Sequence, residues 1–235
     1  MTERALDLDP STASATPPTG ALTEPVTVVA RIVGAGNDTD HQVSDLKKKT
    51  AGKHITAIAT AWEHSLALTA DGQVIAAGSE KTGSDPGVET ETSGKRIIAI
   101  SAGESHSLAL TAEGEVIGVG YDGNKKISGL LAQTAGKRFT TVLASRDSSF
   151  ALTDEDQLIA AGVSPYKEAS DLAAKTAGKR VTAVAATWYH SLALTVDGEV
   201  VGAGWDSDKR VSGLMAQTAG KHITAIAAAR PTAWP

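Results

Sequence analysis

The chain has 235 residues, 41% of them hydrophobic but 4% aromatic, with a formal net charge of −5 and no cysteine. That length suits one or two packed domains, and the acidic balance excludes a phosphate-tracking surface built from clustered Lys and Arg. The absence of cysteine excludes a disulfide framework and a thiolate metal site, and no apolar run is long enough to span a bilayer.

From the N-terminus, "MTERALDLDPSTASATPPTGALTEP" is rich in Pro, Ser, Thr and Ala and reads as a flexible tail over 1–25. It carries acidic residues and no apolar h-region, so it does not read as a secretory signal, and the expected compartment is cytoplasmic. The rest, 26–235, reads as one repeat domain. "VTVVARIVGAG" from Val26 resembles the end of a repeat unit.

Next, "VSDLKKKTAGK" predicts a helix of one or two turns, with Ser44 as its cap and Gly52 as its stop. "ITAIA" from Ile55, "HSLALT" from His64 and "QVIAAG" from Gln73 follow, with the β-branched content and period-two alternation of short strands. Asp71-Gly72 between the last two is a hairpin signal, because such turns need a positive φ.

This unit then recurs without insertion or deletion. His64, His106, Ser148 and His190 are spaced by 42 residues, as are Lys53, Lys95, Lys137, Lys179 and Lys221. Ser128, Ser170 and Ser212 repeat the capping position, and Gly136, Gly178 and Gly220 repeat the stop. Glu113-Gly114 and Asp197-Gly198 repeat the turn, with Asp156 replacing the Gly in one copy. "SDPGVETETSGK" breaks the helix pattern, so that unit's outer segment should differ.

Five copies of this length reach back from Pro235 to Val26, and the chain starts and stops out of phase. "HITAIAAARPTAWP" supplies the first part of a unit and "VTVVARIVGAG" the last part. Together they predict an all-β, five-bladed β-propeller whose ring is closed by N- and C-terminal segments sharing a blade. An open solenoid would repeat as regularly, but it calls for polar capping units rather than complementary ends.

"HSLALTADGQVIAAG" resembles the repeats of the regulator of chromosome condensation family, which carry a Gly-rich lead, His-Ser-Leu-Ala-Leu, an Asp-Gly turn and a strand ending in Trp-Gly. The compact blades are most similar to those of the type II β-lactamase inhibitory proteins. The resemblance covers Val26 to Pro235 and implies a blade fold. Here Ala77, Val119, Ala161 and Ala203 stand where the family has the strand-ending Trp.

In an up-and-down blade the loops after the first and third strands share one end, and these are the segments that vary between copies. The first set, "TAWEH", "AGESH", "SRDSS", "TWYH" and "ARPT", holds Trp62, Glu63, Trp188 and Tyr189. The second, including "YDGNKK", "VSPYKE" and "WDSDKR", holds Tyr121, Asp122, Tyr166, Trp205 and Asp206. Aromatics ringed by charge are what a protein-recognition face offers. The resemblance adds that residues just before His-Ser-Leu-Ala-Leu bind the target of the inhibitory members, which points to Trp62, Glu63, Trp188 and Tyr189. The alternative is that some of these aromatics simply pack on neighbouring loops.

Other signals carry less. "GVGYDG" fits a dinucleotide fingerprint but occupies an ordinary repeat position with no long helix after it, and "TAGKR" lacks the spacing of a P-loop. His64, His106 and His190 recur at one blade position and read as structural hydrogen-bond partners, not metal ligands. Asp38 with Asp40, Asp122 with Asn124 and Asp206 with Asp208 are too few oxygens for calcium and read as turn caps. No nucleophile has an activating base, because adjacent His-Ser side chains of a strand point to opposite faces.

The expected function is therefore a non-enzymatic binding propeller, inhibitor-like or scaffold, that recognises a protein partner, with no cofactor, metal, nucleic acid or membrane. A carbohydrate-binding lectin is the first alternative, with Tyr121 or Trp205 stacking a sugar and Asp122 or Asp206 bonding its hydroxyls. A structural or engineered repeat scaffold is the second.

Overall fold

The computed structural model describes residues 38–78, 86–207 and 209–228. A helix followed by three antiparallel strands recurs along it. The elements are α1 (Ser44–Lys49), β1 (Ile55–Thr60), β2 (His64–Thr69), β3 (Val74–Gly78), α2 (Pro86–Thr92), β4 (Ile97–Ala102), β5 (His106–Thr111), β6 (Val116–Gly120) and α3 (Ser128–Leu131). They continue with β7 (Phe139–Ala144), β8 (Ser149–Thr153), β9 (Leu158–Ala161), α4 (Glu168–Thr176), β10 (Val181–Ala186), β11 (His190–Thr195), β12 (Val200–Gly204) and α5 (Ser212–Thr218). The strands form four three-stranded sheets in the orders β1-β2-β3, β4-β5-β6, β7-β8-β9 and β10-β11-β12.

Each hairpin has the register set by its turn. Gly72, Gly114 and Gly198 have φ of 85, 82 and 79°, and Asp156 takes the same left-handed conformation at φ 61°. The Thr that opens the turn holds it: the Thr69 Oγ1 accepts from Gln73 N–H at 2.9 Å, and Thr111, Thr153 and Thr195 repeat the bond. A β-bulge recurs in each first strand, so that Ile55 faces Thr69 but Ala57 faces Leu68. Alternation alone did not foretell this extra residue.

The middle strand of each sheet is buried along its whole length. Leu66 and Leu108 are fully enclosed because consecutive sheets pack face to face. Polar bonds tie the sheets at fixed points. His64 Nε2 lies 2.9 Å from Ser107 Oγ and His106 Nε2 2.9 Å from Ser149 Oγ. The N–H of each next first strand donates to the preceding hairpin, as Ile97 N–H does to Gly72 O and Phe139 N–H to Gly114 O, both at 2.9 Å.

The helices cover the outer strands, whose free edges would otherwise invite pairing. Lys49 Nζ donates to Ala76 O at 2.6 Å, Gln133 Nε2 to Ala160 O at 3.3 Å and Lys175 Nζ to Gly202 O at 2.8 Å. All three donors occupy one repeat position. The glycines expected to stop the helices do so, with φ near +70° from Gly52 to Gly220. The serines do not cap as expected, since no side-chain cap bond is made at α1, α3 or α5. Asp carboxylates from the preceding loop cap them instead: Asp38 accepts from Val43 and Ser44 N–H at 2.8 and 3.0 Å, and Asp206 from Val211 and Ser212 N–H at 2.8 and 3.0 Å. α4 starts at Glu168, so Ser170 lies inside it. The second unit differs as expected, with Pro86 opening α2.

After α5 the segment 222–228 runs along the fourth sheet. Ile223 N–H donates to Gly198 O at 3.0 Å, the bond that begins every later first strand, and Ile223, Ile226 and Ala228 pack on the cluster of Leu192, Leu194 and Val200. The tail 1–25, the segment 26–36, the loop "SEKTGS", Asp208 and Trp234 lie outside the described residues, as does the last first-strand loop "ARPT".

Candidate functional site

Four copies of one tight turn build the varied end. Ala61, Gly103, Ser145 and Thr187 N–H donate to the carbonyls of His64, His106, Ser148 and His190 at 2.8 to 2.9 Å. The backbone is the same in each, so the second residue of each turn, Trp62, Glu104, Arg146 or Trp188, presents its side chain from an equivalent place.

These four side chains meet. Arg146 Nε lies 2.9 Å from Glu104 Oε2. Its guanidinium carbon sits 4.8 Å from the centre of the Trp188 ring. Trp188 in turn packs 5.9 Å from Trp62 at an interplanar angle of 51°. Glu104, Arg146 and Trp188 line a cavity of about 240 Å³, and Trp62 extends the chain of contacts beyond it. Thr60, Ala102, Ala144, Ala186 and Ala228, one residue from each of five successive units, line that cavity.

A second group of rings continues from Trp188. Tyr189 lies 6.2 Å from it, 5.6 Å from Trp205 and 5.1 Å from Tyr166, all edge-on. Tyr166 and Trp205 stand 6.1 Å apart. The structure therefore joins Trp62, Trp188, Tyr189, Tyr166 and Trp205 in one cluster. Tyr189, 8% exposed, is its buried centre and holds the others, whereas Trp62 is 57% exposed. Tyr121, 59% exposed, stands apart beside Lys126 Nζ at 5.5 Å from its ring. Glu63 is half-buried next to Trp62 and makes no ion pair among the described residues.

Asp122 and Asp206 are committed to backbone. Asp122 Oδ1 accepts from Ile127 N–H at 2.7 Å and Ser128 N–H at 3.2 Å, matching the Asp206 cap. The side chain and N–H of Ser212 hold the Asp206 carboxyl below the usual carboxylate range. These aspartates, expected to cap turns, cap instead the starts of α3 and α5, five and six residues further on.

A repeat position not singled out from sequence supports the whole end. Gln42, Lys126, Glu168 and Arg210 share it, and the first three are buried. Gln42 Nε2 donates to Trp62 O at 3.3 Å. Lys126 Nζ donates to Ser105 Oγ at 2.8 Å and to Arg146 O at 3.0 Å, linking the turns that carry Glu104 and Arg146. Burial pushes the Lys126 ammonium pKa down, with Asp147, Glu104 and Asp122 opposing. Glu168 accepts from Ser148 Oγ at 2.7 Å and from Ser164 Oγ at 2.5 Å, and its carbonyl takes the Ser191 hydroxyl at 2.6 Å. Arg210 lies 5.9 Å from the Trp205 ring. The signal that could have revealed this position is the last letter of "NDTDHQ", "YDGNKK", "VSPYKE" and "WDSDKR", polar in every copy but never the same.

The histidines behave as structural groups. Burial lowers the pKa of His64 to about 4 and of His106 to about 3, so both are neutral at pH 7. His190 Nδ1 is 3.0 Å from Thr187 Oγ1. Gly103 replaces that Thr in the second unit, and His106 Nδ1 is buried without a partner. Among the described residues no group of three or more His, Asp or Glu side chains could hold a metal ion. No described helix is long and apolar enough to cross a membrane.

Residues 97–125 and 181–209 match the regulator of chromosome condensation (RCC1) repeat. The fold is similar to human WBSCR16, with a TM-score of 0.54 and 19% identity over 66% of this chain and 50% of that one. It is similar to yeast RCC1 in its crystal structure with Kap60, with a TM-score of 0.53 and 18% identity over 66% and 45%. It is also similar to the CRINKLY WD40 ectodomain of the Arabidopsis thaliana receptor kinase ACR4, with a TM-score of 0.50 and 17% identity over 65% and 51%. The chain thus spans about half the length of these structures, and at such identities the likeness concerns the fold alone: an all-β array of propeller-type blades. No curated protein matches the chain by sequence.

Proposed function

We propose that this chain is a non-enzymatic binding propeller that recognises a protein partner through its varied loop end. The observation that carries this reading is the continuous cluster of Trp62, Trp188, Tyr189, Tyr166 and Trp205, extended by the Arg146 stack. Trp, Tyr and Arg in contact, partly exposed and ringed by charge, have the composition of interface hot spots. Yeast RCC1 is seen bound to Kap60, but at 18% identity that partner is not carried over. The resemblance to the β-lactamase inhibitory proteins supports an inhibitor-like mode through the same turn, with Trp62 and Trp188 as anchors. No specific observation favours the lectin alternative, since Asp122 and Asp206 spend oxygen lone pairs on helix N–H groups. The test is capture of partners from cell extract by the wild type and by the double variant Trp62→Ala/Trp188→Ala. The double variant should lose the captured protein while keeping its thermal transition, and unchanged capture would refute the aromatic-face reading.

We propose further that the ring has five blades and is closed by 26–36 pairing with 223–228. Support comes from the five equivalent residues around one cavity and from the Ile223 to Gly198 bond. Deleting 1–25 should leave the thermal transition in place, and deleting 1–37 should lower it by several degrees; equal transitions would argue against closure.

A further inference from the structure

The geometry points to one partner chemistry: an acidic side chain at the tip of a protruding loop, seated over the central cavity, with its carboxylate on the two terminal nitrogens of Arg146. This rests on the protein-recognition reading and deepens it.

Arg146 is held for such a contact. One face of its guanidinium lies against Trp188 at 4.8 Å. Its Nε is taken by Glu104 Oε2 at 2.9 Å and is 3.6 Å from Asp147 Oδ2. Its carbonyl is tied to Lys126 Nζ. Nη1 and Nη2 have no hydrogen-bond partner among the described residues, and the side chain is 33% exposed. Stacking and the Nε pair fix the plane, leaving the end-on fork of two parallel N–H donors, which matches a carboxylate bidentately.

The surrounding charge does not oppose an incoming carboxylate. Arg146 and Lys126 face Glu104 and Asp147, and Asp147 is further engaged by Asn124 Nδ2 at 2.8 Å. Asp122 also acts on Lys126, but its oxygens are spent on the Ile127 and Ser128 N–H groups, so a partner meets the oriented Arg146 donors with each nearby carboxylate already engaged. Size argues for one side chain. The cavity of about 240 Å³ is smaller than the roughly 300–1,000 Å³ of sites for drug-sized molecules, and Thr60, Ser145 and Thr187 make its wall polar. Trp62, beside it and exposed, supplies apolar contact for the loop that carries the acid.

The experiment uses a phage library of disulfide-looped, fully randomised heptapeptides selected on the immobilised full chain, Arg146→Gln, Arg146→Lys and Trp62→Ala/Trp188→Ala. Wild-type selection should enrich Asp or Glu at the loop tip, and Arg146→Gln should lose that enrichment. For a selected peptide, changing its acid to the amide should weaken binding to the wild type by about tenfold or more, as expected for a charge-assisted pair. The same change should matter less than about twofold on Arg146→Gln. Arg146→Lys, which keeps the charge but not the fork, should fall between. Basic enrichment, or equal sensitivity to the amide change on both proteins, overturns the acidic-partner inference while leaving the face intact. Failure to select any peptide whose binding depends on Trp62 and Trp188 overturns the recognition reading itself, and this inference with it.

Discussion

Acidification should destabilise this fold well above the carboxylate range. His64 and His106 are fully buried, and burial lowers their pKa from 6.5 to about 4 and about 3. The unfolded chain binds protons at these sites from about pH 6.5 downward, whereas the native fold does not until its own lower pKa values are reached. Their neutral burial is thus fully compatible with the fold above 6.5 and is lost as a source of stability as pH falls toward 4 and 3. By linkage each group contributes a slope approaching 1.4 kcal/mol per pH unit inside that window. Between pH 7 and pH 5 this amounts to roughly 2 kcal/mol for each histidine, or about 4 kcal/mol together. Against a typical domain stability of about 5–15 kcal/mol that is a large fraction. The lowered pKa of His190, caused first by burial, acts with the same sign. The lowered carboxyls of Asp38, Asp122 and Asp206 lose their contribution only as pH falls below about 4, so they do not obscure a measurement between pH 7 and 5. Urea unfolding followed by far-UV circular dichroism at pH 7, 6 and 5 measures the slope, and His64→Asn/His106→Asn supplies a variant with those protons removed. A wild-type stability that is flat from pH 7 to 5, or a slope unchanged in the double variant, would refute the reasoning.

Two further outcomes follow from the backbone. Asp206→Ala removes the acceptor from the Val211 and Ser212 N–H groups and should destabilise the fold by loss of the α5 cap, read as a lower urea midpoint with an unchanged m-value. Gly204 and Gly52 both have positive φ, but an added Cβ at Gly204 would lie 2.3 Å from Tyr189 O, whereas Gly52 has nothing within 4 Å. Gly52→Ala should therefore cost about 1–2 kcal/mol for the conformation alone, and Gly204→Ala about 2–5 kcal/mol once the clash is added; equal losses in thermal unfolding would show that the contact relaxes freely.

The periodic part of the fold was legible because it is local. The turn glycines, Asp156 in the left-handed region, the strand alternation and the 42-residue spacing each follow from chemistry within a few residues, repeated. So was the gathering of most aromatics, because strand direction fixes which loops share an end. The serine caps misled because the acceptor for α1, α3 and α5 lies five or six residues upstream, outside the short reach over which capping patterns are read. Tyr121 and Tyr189 show the other limit. Both are loop tyrosines, yet one stands exposed away from the cluster and the other is its buried centre. That difference depends on which blades neighbour each loop and on what those blades place there.

The third blade shows how such neighbours compensate. Its copy of the recurring histidine is Ser148, too short to span to the next sheet as His64 and His106 do. In place of an imidazole, Glu168 begins α4 two residues before the repeat position of the other helix starts and is fully buried. Its carboxylate takes Ser148 and Ser164, and its carbonyl takes Ser191, the residue that a histidine at 148 would have reached. Two apparent irregularities in the sequence, a missing His and a buried acid at a variable position, are therefore one structural unit. The same position holds Lys126 under Arg146 and Gln42 under Trp62. Varying it from blade to blade sets the support of each turn separately, which is how a scaffold of near-identical blades can carry Trp, Glu, Arg and Trp at four equivalent tips and hold them against one another.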